Sequence, residues 1–391
     1  MTLLGWELKK ILKRRATRVI LVLCLVLVLL LAGTTGFANL HFGTEVEAPT
    51  WEARACSVQA TRDAAAWHGP LDDRALLAAQ ADCRQDPTGD NTFVQGNILS
   101  WASRIFMAAG IVAPEDWPAQ MMGLDAATLT GLYDRRTALL EQVYSGCTPA
   151  EQALLWAEEA RVEKPFTYDW VDGHALALNE LISAMFLVGL LLCAAVTPLF
   201  CGEVRSRVYT ISHCARWGRG KLAAAKLGAA LLFTGGGFTV FMGLFVAIQL
   251  AYFGTRGLSA SVQLLSWSCM LPLTVGQTEA LLLLSGLLSC LAGTAIAAAL
   301  SAAFGSEFPA VLCLFGILVF LRQLVSYTGI GTLAQTLPFL ATLGELTGNT
   351  LITLPGGGVW LRFFFRLAAQ PLYLVLLLPL AWRVYTRRQV R

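Results

Sequence analysis

Charge is what this sequence has least of. Only 14% of its 391 residues are Asp, Glu, Lys or Arg, against roughly 25% in an ordinary soluble domain. Hydrophobic residues make up 56%, and the mean hydropathy is +0.60. That balance excludes a disordered or fibrous chain and argues strongly against a soluble enzyme. It fits a polytopic membrane protein with one polar region.

The residues of metal and disulfide chemistry are sparse too. Four histidines are scattered without ligand spacing, and no Cys-x-x-Cys occurs. Seven of the ten cysteines (Cys24, Cys193, Cys201, Cys214, Cys269, Cys290, Cys313) lie within or beside apolar runs. Cys56, Cys83 and Cys147 fall in the polar region, where one disulfide can form. Gly-x-Ser-x-Gly, His-Glu-x-x-His and Ser-x-x-Lys are all missing. Gly218-Arg219-Gly220-Lys221-Leu222 is not a phosphate loop. It lacks the first glycine and the final hydroxyl, and no strand precedes it. No cofactor site is expected in this chain.

What the sequence has in plenty is long uncharged runs. About 20 apolar residues cross the hydrocarbon core as a helix. Residues 19–38, 181–202, 227–255 and 280–306 carry no charge. A fifth run, 308–328, holds Arg322 near one end, where its side chain can snorkel. A sixth, 363–384, ends at Arg383 with Trp382 and Tyr385 beside it, an aromatic and basic anchor pattern. Residues 329–358 are broken by Gly, Thr and Pro338 and read as an outer or re-entrant segment, with a seventh span as the weaker alternative. The first run is longer than a signal-peptide core, which predicts a retained helix.

Lys and Arg sort to one side. Six fall in residues 1–18, six in 201–226 and four in 383–391, accompanied there only by Glu7 and Glu203. Six spans put all three clusters in the cytoplasm, whereas seven would put the last outside. The positive charge flanks apolar runs instead of forming a soluble basic face, so nucleic acid is not an expected partner. Residues 1–18 read as a cytoplasmic amphipathic helix, with Leu4, Leu8, Ile11 and Leu12 on one face. Trp6, Lys9, Lys10, Arg14 and Arg15 anchor it to lipid, as Trp382 and Arg383 anchor the far end.

The prediction is therefore an all-α integral membrane protein: six transmembrane helices with a helical extracellular domain between the first and second. Its parts are the helix 1–18, spans at 19–38 and 176–200, a domain at 39–175, a cytoplasmic loop at 201–222, and spans three to six in 223–391. The domain has nine basic against 20 acidic residues and no strand alternation. Helices are predicted over Asp72–Ala81, over Ala126–Val143, and from a capping box at Thr148-Pro149-Ala150-Glu151. His68 and His174 stand alone, and the acids read as a solvated surface.

The loop is the most informative stretch. Glu203 and Arg207 pair at i, i+4 on one helix face. Val204, Val208, Ile211 and Ala215 form an apolar stripe, and Gly218 and Gly220 permit a turn into the third span. A short amphipathic helix here lies where a soluble partner can push on it.

Three features together resemble a permease subunit of the ABC-2 type of ATP-binding-cassette transporter. They are the basic opening ELKKILKRR, the segment EKPFTYDWVDGHALAL before the second span, and PLFCGEVRSRVYTISHCARWGRGKLAAAK after it. Phe200, Glu203, Gly218, Arg219, Ala225 and Lys226 match the family's pattern by position. Arg207 stands where a glycine is common, and His213-Cys214-Ala215 replaces a small polar run. The resemblance implies a bacterial cytoplasmic membrane and a dimer with a second permease copy or paralogue. It implies a separate nucleotide-binding ATPase that holds the ATP and magnesium. It also implies a coupling helix at Glu203–Arg219, with Arg207, Gly218 and Lys226 in the contact. Export of a hydrophobic or peptide-like substrate is the direction it suggests. A membrane-anchored sensor or scaffold, binding a ligand through its acidic domain, is the alternative. Six spans exceed what an anchor needs, and a sensor is expected to carry an inner signalling domain, whereas the largest expected inner loop is the short stretch 201–226.

Overall fold

The computed structural model describes residues 2–39, 68–85, 98–206, 209–210, 214, 219–328, 334–354 and 356–387. Among them six helices are long and apolar enough to cross a membrane, and they coincide with the six predicted runs. The first is α2 (Arg15–Asn39), preceded by the short α1 (Leu3–Lys13). At Arg14 the backbone turns extended, so α1 meets α2 at an elbow.

The second span joins α9 (Asp172–Val196) to α10 (Pro198–Arg205). Proline cannot donate to the helical ladder and interrupts it at this point. The first-turn amides of α10 then need other acceptors. Phe200 N and Cys201 N both donate to Ser301 Oγ, at 2.9 and 3.2 Å. That serine lies on the fourth span, α12 (Val275–Ala303), which follows α11 (Gly220–Phe253). Thr294 of α12 donates to Thr234 of α11 at 2.9 Å. The second and fourth spans form the centre of the bundle, with 72% and 61% of their apolar windows buried, against 22% for the first, fifth and sixth.

The fifth span is composite. It runs through α13 (Glu307–Phe315), a six-residue π-helical stretch (Gly316–Leu321) and α14 (Arg322–Thr328). Residues 334–361 follow as a 3-10 turn, the short α15 (Leu343–Thr347), and a hairpin of β3 (Leu351–Thr353) with β4 (Val359–Leu361). None of these reaches span length. The hairpin leads into the sixth span, α16 (Arg362–Thr386). Phe339 reaches into the bundle from the 334–347 segment. Its ring fills the space beside Gly189, where an added Cβ would collide with it.

The polar region between the first two spans forms a helical insert. Its described helices are α3 (Asp73–Gln85), α4 (Ile98–Ala108), α5 (Trp117–Gly123), α6 (Ala126–Leu129), α7 (Leu132–Val143) and α8 (Pro149–Glu159). The capping box expected at Thr148 and Glu151 is present. The single helix predicted over Ala126–Val143 is two, because Gly131 takes a left-handed conformation (φ 74°) between them. One feature the alternation missed is a two-residue ladder, β1 (Gly69–Pro70) with β2 (Thr167–Tyr168), which ties the two ends of the described part of the insert together. Such short strands carry no detectable period. Cys147 is a free thiol, Cys83 is buried, and Cys56 lies outside the described residues.

One buried arginine fixes the insert to the connector between the third and fourth spans. Arg136, fully buried, pairs with Glu159 at 2.6 and 3.1 Å. It also donates to the carbonyls of Trp267 (2.6 Å) and Cys269 (2.7 Å). Lys164 gives Glu159 a second cation at 2.9 Å. A guanidinium suits this role because its planar fork serves several acceptors at once.

Candidate functional site

Four chain segments that share the basic end of the sequence plan converge on one ammonium. Lys226 lies two turns into α11 and is 2% exposed. Its Nζ sits 2.7 Å from Glu203 Oε1, at the end of the second span, and 3.1 Å from Glu7 Oε2 of α1. Lys10 reaches the other oxygen of Glu7 at 2.5 Å. From the sixth span, Tyr385 donates its hydroxyl to Glu203 Oε2 at 2.9 Å, and its ring lies against Phe200, centroids 4.5 Å apart. A buried charge is tolerated only when paired and hydrogen-bonded, and each member of this group supplies a partner for another.

Burial works against the Glu7 carboxylate, yet Lys226 and Lys10 more than offset it. They hold its pKa below the ordinary carboxylate value. Glu7 is therefore charged at neutral pH, as the pairing requires.

The geometry gives α1 a different setting from a bare lipid surface. Glu7 and Ile11 are buried, and Leu4 packs against Gly228 of α11, where an added Cβ would lie 2.9 Å from its Cδ1. Leu4 and Leu8 join the core, whereas Leu12 of the predicted stripe is exposed. Trp6 is exposed with Lys9 over its ring at 5.5 Å. At the far end Trp382 donates to the Gly220 carbonyl at 3.2 Å, and Arg383 is exposed beside it. Arg15 begins α2 directly after the elbow at Arg14.

Of the predicted coupling residues, Glu203 and Lys226 are brought together and Arg219 is exposed at the start of α11. Arg207 and Gly218 lie outside the described residues, as do Val208, Ile211 and Ala215 of the stripe. The described partners of Glu203 are Lys226 and Tyr385. The Lys226 ammonium bridges the carboxylates of Glu7 and Glu203, which joins α1 and the end of the second span to α11. From sequence, Glu7 stood out only as a lone acid in a basic segment, and Tyr385 only as part of the aromatic and basic anchor beside Arg383; neither was assigned to this site.

A second buried polar centre lies at the start of the sixth span. Arg366 is 4% exposed and pairs with Glu345 of α15. It also donates to the Leu340 carbonyl at 2.6 Å, to the Gln335 carbonyl at 3.1 Å and to the Gln335 side chain. Burial pushes the Glu345 carboxyl above its usual value despite the arginines beside it. Arg322, expected to snorkel, instead donates to the Phe339 carbonyl at 2.8 Å and lies over the Phe186 ring at 4.3 Å. The 334–347 segment is thus held to the fifth and sixth spans by arginines that grip its carbonyls. No cluster able to hold a metal occurs among the described residues.

Comparison with family models, with curated proteins and with solved structures finds no match in any of the three.

Proposed function

We propose that this chain is the membrane-spanning subunit of a transporter, driven by a separate nucleotide-binding ATPase at the Glu203–Arg219 loop. The observation that carries the reading is the buried Lys226. It ties α1, the end of the second span and the start of the third into one body, with the sixth attached through Tyr385. A load applied to the loop after Glu203 passes through that body to three spans, because rigid packed elements transmit displacement as units. The runs 19–38, 181–202, 227–255 and 280–306 hold no Asp, Glu, Lys or Arg, which argues against ion coupling through them and favours a partner as the source of the work. ATP and magnesium are held by that partner, and the second half of the pathway is another copy or a paralogue. The sequence resemblance supports a bacterial cytoplasmic membrane as the setting and export of a hydrophobic or peptide-like substrate as the direction.

The test is purification of the whole chain in mild detergent from its native membrane, with the products of neighbouring genes. Stoichiometric recovery of a nucleotide-binding ATPase is expected. Arg219→Glu should lower the ATPase activity of the complex while leaving its thermal unfolding unchanged. Reversal at Glu203 is a poor probe, since it also breaks the pair with Lys226. A chain that purifies alone, or a complex indifferent to Arg219→Glu, refutes the assignment.

A further inference from the structure

A cavity of about 240 Å³ opens where the insert meets the connector between the third and fourth spans. Its polar lining comes from two stretches about a hundred positions apart: Arg161, Glu163 and Thr167 on one side, Ser261, Gln263 and Thr274 on the other. Junctions of this kind are a preferred place for small-molecule sites.

The floor is held firmly. Thr167 N donates to Ser261 Oγ at 2.9 Å, and Ser261 N returns a bond to the Thr167 carbonyl at 3.0 Å. Ser261 is bridged in turn to Thr274, whose side chain caps α12. Gln263 is 1% exposed. Its amide nitrogen donates to the carbonyls of Cys269 (3.3 Å) and Leu271 (2.9 Å), and Trp101 Nε1 holds its backbone carbonyl at 2.9 Å. Both amide protons are therefore committed. A primary amide has two donors and one carbonyl acceptor, so what the Gln263 side chain can still offer a ligand in the cavity is its Oε1 acceptor. At the rim, Arg161 and Glu163 set opposite charges two positions apart. Arg161 is tied to Glu158 at 2.8 Å, yet its side chain is 66% exposed and retains further N–H groups.

We propose that this cavity binds a small zwitterion. Its anionic end meets Arg161, its ammonium end meets Glu163, and one N–H reaches Gln263 Oε1. The shared chemistry is an ammonium and an anion a few bonds apart. Two sources carry it: a free amino acid or short peptide, and the ethanolamine phosphate of a lipid. The second is in reach because Thr274 stands at the start of a membrane-length helix.

Isothermal titration of the full-length chain in detergent separates the outcomes. The probes are glycylglycine and O-phosphoethanolamine, with uncharged N-acetylglycinamide as control. Saturable binding of a charged probe is expected, weakened roughly tenfold by Arg161→Gln and by Glu163→Gln alike, the worth of one charge-assisted contact. Both positions are exposed, so unchanged melting temperatures should accompany the loss. Preference for glycylglycine assigns the site to free zwitterions, and preference for O-phosphoethanolamine assigns it to headgroups. No saturable binding of either, equal binding of the uncharged control, or full binding by both variants overturns the proposal. None of these readouts depends on an ATPase.

Discussion

Lys226 and Glu7 stand 219 positions apart in the chain and meet at 3.1 Å inside it. The contact sets the angle between the N-terminal helix and the third span. It also explains why a lone acid sits in a helix that otherwise carries only lysines: Glu7 faces inward, and the lysines face out.

Removing the shared cation should be costly. Lys226→Met leaves Glu7 and Glu203 buried and facing each other, and loss of one partner of a buried pair costs about 3–5 kcal/mol. Neutralising the acids as well, with Glu7→Gln and Glu203→Gln, should recover most of that loss. Thermal unfolding of the single and triple variants in one detergent checks both statements. A triple variant as unstable as the single one would mean that Lys226 acts through packing alone.

Acid should release α1 before the rest of the bundle. The Glu7 carboxyl is depressed in the folded chain. Its stabilising contribution is full above the unfolded-state value of about 4.3 and drains away as pH falls through the folded value. Hydrogen exchange over residues 3–13, corrected for its intrinsic pH dependence, should rise as pH drops from 7 towards 3. In Glu7→Gln that rise should be absent. Equal protection at both ends of the range would show that the pair does not hold the helix.

Arg136 should govern the insert without governing the spans. Arg136→Leu leaves the buried Glu159 with Lys164 as its remaining cation and frees two connector carbonyls, for a cost of about 3–5 kcal/mol. Arg136→Lys should rescue little, because an ammonium lacks the planar fork that serves Glu159, Trp267 and Cys269 together. Limited proteolysis should cut the insert of both variants much faster than wild type. Cleavage at the wild-type rate would place the anchoring elsewhere.

Gly189 should tolerate no side chain while Phe339 is present. A methyl group there collides with the ring, and overpacking of this kind costs about 1–3 kcal/mol. The same substitution made on top of Phe339→Ala should be nearly neutral. A double-mutant cycle on unfolding temperature measures the coupling, and additive effects would contradict the contact.

Much of the architecture is legible in the residues. The spans are visible because a helix that crosses lipid satisfies its own backbone and needs an apolar run of about 20 residues, so span and run coincide. The Thr148 box was equally plain, since a helix start is decided within four residues. The break at Gly131 was lost, because one glycine weighs little against a long helical pattern. Arg366 was lost for a related reason: inside an apolar run its charge reads as a flaw, and its partner Glu345 lies 21 positions upstream.

The candidate site divides along the same line. Glu203 and Lys226 drew notice through position and resemblance, while Glu7 and Tyr385 joined them only in space. Composition and run length determine by themselves that this chain has six segments able to cross a membrane. Those are sums over neighbours in sequence. Which acid meets which base, what Phe339 fills, and where the insert rests were decided by tertiary structure alone. Low dielectric and close packing reward contacts between positions that carry no mark of one another until the chain has folded.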